Sequence, residues 1–273
     1  MNRRKTSSNY TKTVPAVDQA LKILFFMAKD KHPKLSLTEI CKGVGIHKSK
    51  GFSILNTLAK YGLVQKDSED KQYALGLGIL SLSRKVLENL DYRRIAMPYL
   101  EKISNLTKAT AIFGVILGED LFVVAKKEPK SSVHITIRLG YRFHITHGAH
   151  GKAIAAFLEE KELLSLIKKR KTYFFGNQTV LDKDRLMSEI RECRKKGFAY
   201  DIGELHPGIS AISSPVFDSK NTPIGVLIIL GTLEKEKMED FGRIVHEAAR
   251  DFSLELGADL KKTYEKYANL ARE

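Results

Sequence analysis

The first 75 residues show three hydrophobic patterns of helical period, followed by one segment that alternates in polarity. The first pattern spans residues 16–30 and predicts a helix with one apolar face, made of Val17, Ala20, Leu21, Leu24, Met27 and Ala28. The second opens with Ser36 and has Glu39 three residues later, which is typical of a capping box. Gly43 and Gly45 then predict a stop after about two turns.

The third pattern covers residues 46–64 and predicts an amphipathic helix whose core face consists of Gly51, Ile54, Leu55 and Leu58. After it, residues 63–76 alternate like two short strands around a polar turn at Asp67–Asp70. The predicted order of elements is helix, short helix, turn, helix and hairpin. This is the order found in a winged helix-turn-helix. The pattern therefore predicts a DNA-binding module over residues 14–76.

The first turn of the third helix carries Lys48 and Lys50, although the positive end of the helix dipole disfavours cations. Two lysines at this end therefore need a nearby anion. In a winged helix-turn-helix the N-terminus of the third helix enters the major groove, so DNA phosphate supplies that anion. The face predicted to contact DNA consists of Lys48, Ser49, Lys50, Phe52, Ser53 and Asn56. For Phe52, contact with thymine methyl groups and packing over Tyr61 or a dimer partner are both open.

The charge distribution favours the same function. The formal net charge is +14, and residues 1–75 hold 14 Lys or Arg against 6 Asp or Glu. Such a basic region fits a polyanion, with an anionic membrane surface or a merely solvated face as alternatives. Arg3 and Arg4 of the predicted flexible arm 1–13 are candidates for minor-groove contacts, and Lys66 and Lys71 are candidates on the hairpin.

No segment of the chain predicts a membrane span or a disulfide framework. No run approaches the roughly 18 apolar residues that a membrane helix needs, and the basic start lacks an apolar signal region. Cys41 and Cys193 are far apart in sequence, which favours buried thiols in a reducing compartment. We therefore expect a cytoplasmic protein.

The remaining chain predicts a helical linker and an α+β domain. Residues 77–108 are helical with a break around Asp91–Pro98, and residues 109–267 form the second domain. Within it the expected strands are a hairpin turning at Gly118–Asp120 and residues 132–139, 197–201, 209–217 and 223–231. The expected helices are residues 151–158, 161–169, 182–196 and one long closing helix at 237–267.

Three stretches, "VPAVDQALKIL", "LSLTEICKGVGIHKSKGFSILNTLAKYGLV" and "YALGLGILSLS", resemble the start of IclR-type bacterial transcriptional regulators. The resemblance continues nearly to the C-terminus. It implies a dimer or tetramer whose C-terminal, GAF-like domain binds a small effector. The sequence departs from the family pattern at Gly51, where a β-branched core residue is usual, and at Phe52 and Ser53, where a polar or basic pair is usual. The operator sequences of family members therefore cannot be assigned to this protein.

Three histidines at intervals of three, His144, His147 and His150, offer imidazoles to zinc, but no Cys or carboxylate close in sequence completes a site. We favour the alternative of a helix N-terminus at residues 148–152, whose exposed amides hold an anion. The resemblance implies that this turn gives amides to a carboxylate effector, which places Ala149 and His150 at the pocket.

Asp201, His206 and Ser210 are the acid, base and nucleophile types of a hydrolase. The segment lacks a nucleophile-elbow motif and an evident oxyanion hole, so the enzymatic interpretation is weak. The resemblance makes Asp201 a pocket residue, while a role as a turn or capping acid stays open.

The resemblance also implies that carboxylate-binding relatives carry a cysteine and two serines where this chain has Ala211, Ile228 and Leu230. Losing three polar groups favours an effector with an aromatic or largely apolar body, or no effector at all. The alternative is that the three side chains simply fill the core.

We therefore predict a sequence-specific DNA-binding transcriptional regulator, favouring a repressor, whose operator affinity is modulated by a small molecule. Its expected partners are a double-stranded DNA operator, the effector, and further copies of the chain in a dimer or tetramer. No cofactor, metal site, membrane partner or enzymatic activity is predicted. The alternative is a GAF-type ligand-sensing or hydrolytic protein whose basic N-terminus only mediates assembly.

Overall fold

A computed structural model of the chain describes residues 13–82, 91–131, 133–168, 172–176 and 181–269. The chain divides into two compact units, residues 1–90 and 91–273. The finer limits expected for the arm, the DNA-binding module, the linker and the effector domain stay predictions. The candidate residues Arg3 and Arg4 lie outside the described residues.

The N-terminal unit contains α1 (Pro15–Lys29), α2 (Leu37–Val44), α3 (Lys48–Lys60) and an antiparallel hairpin of β1 (Val64–Lys66) and β2 (Tyr73–Leu75). This order confirms the predicted winged helix-turn-helix. The capping box of α2 is present, because the hydroxyl of Ser36 accepts from the Glu39 amide and the Glu39 carboxylate accepts from the Ser36 amide. Gly45, with φ 73°, ends α2. Gly43 lies inside α2, where an added Cβ would be 2.2 Å from the Phe26 ring.

The core of this unit joins all three helices and the hairpin, through Ile23, Met27, Leu35, Ile40, Ile54, Leu55, Leu58, Val64 and Tyr73. The predicted core face of α3 is confirmed, including Gly51. The predicted face of α1 is partly wrong, since Val17 is 55% and Leu21 49% exposed while Ile23 is fully buried. Helix α1 carries apolar side chains on more than one of its faces, so periodicity alone does not show which face is buried.

Cys41 explains the departure from the family pattern at Gly51. An added Cβ on Gly51 would lie 2.3 Å from the Cys41 sulfur, well inside van der Waals contact. The sulfur of α2 therefore occupies the volume that a β-branched side chain on α3 would need.

The second unit has an antiparallel sheet of β3 (Thr110–Leu117), β4 (Asp120–Lys127), β5 (Arg142–His144), β6 (Ala199–Ile202), β7 (Ser210–Phe217) and β8 (Pro223–Gly231). Its described helices are α4 (Asp91–Thr107), α5 (Gly148–Ala155), α6 (Glu160–Ile167), α7 (Lys183–Lys196), α8 (Met238–Glu255) and α9 (Leu260–Asn269). The strand order is β5-β4-β3-β8-β7-β6. This architecture confirms the predicted α+β class.

The two faces of the sheet carry separate cores. Leu227 and Ile229 of β8 belong to the core that includes α4 and α8. Ile228 and Leu230 belong to the core that includes α5, α6 and α7. Alternation along β8 therefore turns the predicted pocket residues toward the α5 side.

The predicted strand over residues 132–139 is wrong. Residues 133–138 form no strand, and the Thr110 hydroxyl donates to the Ile135 carbonyl instead. The outer edge of β4 pairs with Arg142–His144, which follow later in the chain. An alternating pattern shows which residues prefer an extended backbone, but not which segment reaches a free sheet edge.

Two helix boundaries also differ from the prediction. Helix α4 continues through Pro98, where a break was expected, so its fixed φ is accommodated within the helix. The closing helix is two helices, because Gly257 adopts φ 85° between Glu255 and Leu260. A left-handed glycine ends a helix even where the apolar stripe continues beyond it.

Candidate DNA interface and effector site

The N-terminal turn of α3 presents cations to solvent. Lys48, Ser49 and Lys50 are exposed, and the turn contains no acidic residue. Its N-cap residue, His47, makes no side-chain capping hydrogen bond. Within the described part of the chain neither lysine forms an ion pair. The positive end of the helix dipole and two lysines therefore meet at one exposed point, as an anion-binding surface requires.

The rest of the predicted recognition face is also exposed. The Ser53 hydroxyl donates to the Ser49 carbonyl at 3.1 Å, so it is satisfied on its own helix. Phe52 is 42% exposed. The β1–β2 hairpin, residues 64–75, forms the wing of the module, and its Lys66 ammonium lies 5.5 Å from the centroid of the Phe52 ring. The wing therefore contacts the recognition helix through a cation–π interaction.

The wing itself is held by side-chain contacts. Lys34 pairs with Asp67 and, at 3.2 Å, with Asp70. Lys71 has φ 59° and its ammonium donates to the Ser68 carbonyl at 2.6 Å. Lys66 and Lys71 are both exposed, so the wing adds cations to the surface formed by α3.

In the second unit, Asp201 lies against the N-terminus of α5. An added Cβ on Gly148 would be 2.6 Å from an Asp201 carboxylate oxygen and 2.6 Å from Leu205. Asp201 is only 3% exposed, and its other oxygen accepts from the amides of Glu204 and Leu205. Burial raises the pKa of this carboxyl. Ala149 and His150 belong to the first turn of α5. A buried carboxyl at a helix N-terminus can accept, donate or hold a polar group.

The strand register places the predicted pocket residues side by side. Asp201 lies opposite Ala211, Ala211 opposite Leu230, and Leu230 opposite Thr110. Ile228 lies two residues from Leu230 on the same face. The structure therefore brings Asp201, Ala211, Ile228 and Leu230 to one face of the sheet.

A cavity of about 490 Å³ lies at the end of the sheet, beyond this row. It is lined by residues of α4, β8 and the 133–135 segment, and it includes Leu230 and Thr110 but not Asp201. Of the residues predicted to line the effector pocket, the cavity therefore shares only Leu230.

The three histidines of the loop lie close together. The His147 and His150 rings are 6.0 Å apart, and the His150 Nε2 is 3.3 Å from the His144 carbonyl. No group of three His, Cys, Asp or Glu side chains suited to a metal ion occurs among the residues that the structure describes. Burial lowers the pKa of His150 to about 3.

Acid should destabilise the protein through His150. Its imidazole is 5% exposed and neutral in the fold, while an unfolded histidine titrates near its ordinary pKa of 6.5. The unfolded state therefore binds more protons as the pH falls from 6.5 toward about 3, and the free energy of unfolding decreases across that window. His150→Gln keeps a donor for the His144 carbonyl and should flatten this dependence in urea unfolding curves. An equal pH slope in both proteins would contradict a buried neutral His150.

Sequence reasoning missed a buried ion-pair network beside Asp201. Lys152 is 1% exposed, and its ammonium lies 2.7 Å from both Glu189 and Glu204. It also donates to the Tyr200 carbonyl at 2.9 Å. Arg185 pairs with the same two carboxylates. The one available signal was a single lysine in the small and apolar run "GKAIAAF", which helical periodicity does not mark as buried.

Comparison with known proteins agrees with both units. The family model described as bacterial transcriptional regulator IclR C-terminal matches residues 84–254, and the IclR helix-turn-helix domain matches residues 16–68. XynR of Escherichia coli K12 is 27% identical over 247 residues, covering 89% of this chain and 98% of that protein. AllR of the same strain, a transcriptional repressor, is 25% identical over 249 residues, covering 90% and 92%.

Solved structures share the fold. An IclR regulator from Alicyclobacillus acidocaldarius superimposes with a TM-score of 0.75 at 26% identity, covering 89% of this chain and 99% of that chain. An IclR homologue from Microbacterium hydrocarbonoxydans, complexed with 4-hydroxybenzoate, has a TM-score of 0.71 at 16% identity, covering 88% and 98%.

A winged helix-turn-helix with exposed cations on its third helix, followed by an α+β unit, defines a DNA-binding transcriptional regulator. The chain belongs to the IclR family. It is accordingly not an enzyme, and Asp201, His206 and Ser210 are not a hydrolytic triad. No helix in the described ranges has the length and apolarity needed to cross a membrane.

Proposed function

We propose that the protein is a cytoplasmic repressor that binds a palindrome-like operator as a symmetric oligomer and changes operator affinity when a small molecule binds its second unit. The observation that carries the DNA-binding part is the exposed, basic N-terminal turn of α3. The repressor AllR, a relative over most of its length, supports the direction of regulation.

The operator contacts follow from this placement of α3. Lys48 and Lys50 neutralise phosphates or read guanines, while Ser49, Ser53 and Asn56 reach base edges or phosphates. Phe52 packs on thymine methyl groups, with Lys66 and Lys71 contacting the flanking backbone. The arm residues Arg3 and Arg4 add minor-groove contacts.

Two-fold symmetric operators require a dimer, and α1 offers an apolar surface for it. Val14, Val17 and Leu21 recur at helical spacing and are 63%, 55% and 49% exposed. Large apolar side chains exposed in a row are typical of an interaction surface. We also assign residues 77–90, the first part of the predicted helical linker, to this interface. Leu82 there is exposed, while residues 83–90 lie outside the described ranges.

Replacing Val17 and Leu21 together by lysine should therefore convert the protein to smaller species in sedimentation velocity at micromolar concentration. Leu117→Lys, which adds one lysine at a side chain that is 69% exposed on the hairpin of the second unit, serves as the control. A wild-type monomer, or an unchanged oligomer in the double variant, would contradict this interface.

The proposed effector binds between the α5 N-terminus and the sheet. The amides of Ala149 and His150 with Asp201 form its polar end, and Ala211, Ile228 and Leu230 form an apolar wall. Such a site favours an aromatic or largely apolar acid over a two- or three-carbon acid. The homologue complexed with 4-hydroxybenzoate is a precedent for that class.

Ile228→Ser should weaken an aromatic acid by about 1 to 3 kcal/mol, because it removes buried apolar contact. Calorimetry with 4-hydroxybenzoate and with pyruvate, on both proteins, makes the measurement. Unchanged affinity in the variant would mean that Ile228 only packs the core. Tight pyruvate binding to the wild type would overturn the proposed ligand class.

A further inference from the structure

Ser213 holds a polar group that the fold leaves unsatisfied. Its side chain is fully buried in β7, and its hydroxyl has no hydrogen-bond partner within the described residues. A buried hydroxyl without a partner costs free energy, so proteins rarely retain one without a use. The neighbouring Ser214 is equally buried, but its hydroxyl donates to the Gly197 carbonyl at 2.7 Å.

The strand register places Ser213 on the proposed effector face. Ser213 lies opposite Ile228 on β8 and opposite Ala199 on β6. Asp201 lies opposite Ala211, two residues before Ser213. Asp201 and Ser213 are therefore diagonal neighbours on one face, a relation that separates their Cα atoms by about 7–8 Å.

The two residues directly opposite Ser213 on this face are apolar. Its strand neighbours Ile228 and Ala199 belong to the same core cluster as the apolar residues of α5. Thr110 lies on the same face, but its hydroxyl already donates to the Ile135 carbonyl. A ligand group that reaches past Ala211 would thus find the Ser213 hydroxyl available.

We infer that Ser213 is a specificity-determining residue of the effector site, where its hydroxyl hydrogen-bonds the end of the ligand opposite the acidic group. This rests on the proposed function, in which the acidic group binds at the α5 N-terminus. The ligand class becomes an aromatic acid with a hydroxyl or carbonyl group across the ring from its carboxylate. Because Ser213 is a diagonal neighbour of Asp201 and does not lie directly opposite it, we assign the second polar group to the ring position para to the carboxylate.

The test compares 4-hydroxybenzoate with benzoate, which lacks the distal hydroxyl, by calorimetry on the wild type, Ser213→Ala and Ser214→Ala. Ser213→Ala should weaken 4-hydroxybenzoate by roughly 3- to 10-fold, the worth of one hydrogen bond, and leave benzoate unchanged. Ser214→Ala is the matched control, because it removes a hydroxyl on the opposite face and should leave both affinities unchanged.

Thermal unfolding of the free protein provides a second readout. Ser213→Ala removes an unsatisfied group and should raise the melting temperature by about 1 to 4 °C, whereas Ser214→Ala removes a satisfied one and should lower it. A merely structural Ser213 hydroxyl would give the same sign as Ser214. A lower melting temperature for Ser213→Ala would overturn the inference.

Asp201→Asn separates failure of the inference from failure of the proposed site. If Asp201→Asn weakens 4-hydroxybenzoate and Ser213→Ala does not, the site stands and the role of Ser213 is wrong. If neither variant changes the affinity, the ligand binds elsewhere and both proposals fail. If the wild type binds neither acid at millimolar concentration, the ligand class and the inference are overturned, while operator binding is unaffected.

Discussion

Replacing Lys152 by methionine is expected to lower the free energy of unfolding by about 3 kcal/mol, the low end of the range for breaking a buried ion pair. The ammonium is almost fully buried and contacts Glu189, Glu204 and the Tyr200 carbonyl. It also lies 4.7 Å from the Phe175 ring centroid. Methionine fills a similar volume, so the loss comes from carboxylates left without their buried cation. Arg185 still pairs with both carboxylates, which keeps the effect at the low end.

Urea unfolding followed by circular dichroism measures this loss. Lys195→Met is the matched control, because Lys195 is 69% exposed and its pair with Glu192 should contribute less than about 1 kcal/mol. Adding Glu204→Gln to Lys152→Met should recover part of the stability by removing one uncompensated charge. A loss below about 1 kcal/mol for Lys152→Met would contradict the buried network.

The second large effect is expected at the operator. Changing Lys48 and Lys50 together to alanine should weaken operator binding by about 2 to 5 kcal/mol and reduce the salt slope by about two, because each lysine neutralises a phosphate or reads a base. Both side chains are exposed, so the variant should fold normally. Lys60→Ala, at the opposite end of α3, is the matched control. Equal operator affinity in the double variant and the wild type would refute this placement of α3.

The DNA-binding unit was largely predictable because its signals are local. The Ser36 and Glu39 capping box, the buried residues of α3 and the polar turn of the hairpin all depend on neighbours within a few residues. The contact between Gly51 and Cys41 was not predictable, because it depends on how two helices cross.

In the second unit, the features that the sequence did not predict share one physical cause. Residues 133–138 lack a partner strand, and the burial of Lys152 depends on carboxylates 37 and 52 residues away in sequence. Such long-range choices leave no periodic trace in a single sequence. The position of Ser213 also depends on long-range pairing. Alternation along β7 shows that Ser213 shares a face with Ala211, but only the pairing register between β6 and β7 shows that Asp201 lies on that face.

Fluorescence anisotropy of the full chain on DNA from upstream of its own gene, across a salt series, tests the regulator account most directly. A sequence-specific operator complex predicts a steep log–log salt slope and at least about 1,000-fold weaker binding to a scrambled duplex. Equal affinity for both duplexes, or a slope near zero on the upstream DNA, would contradict it.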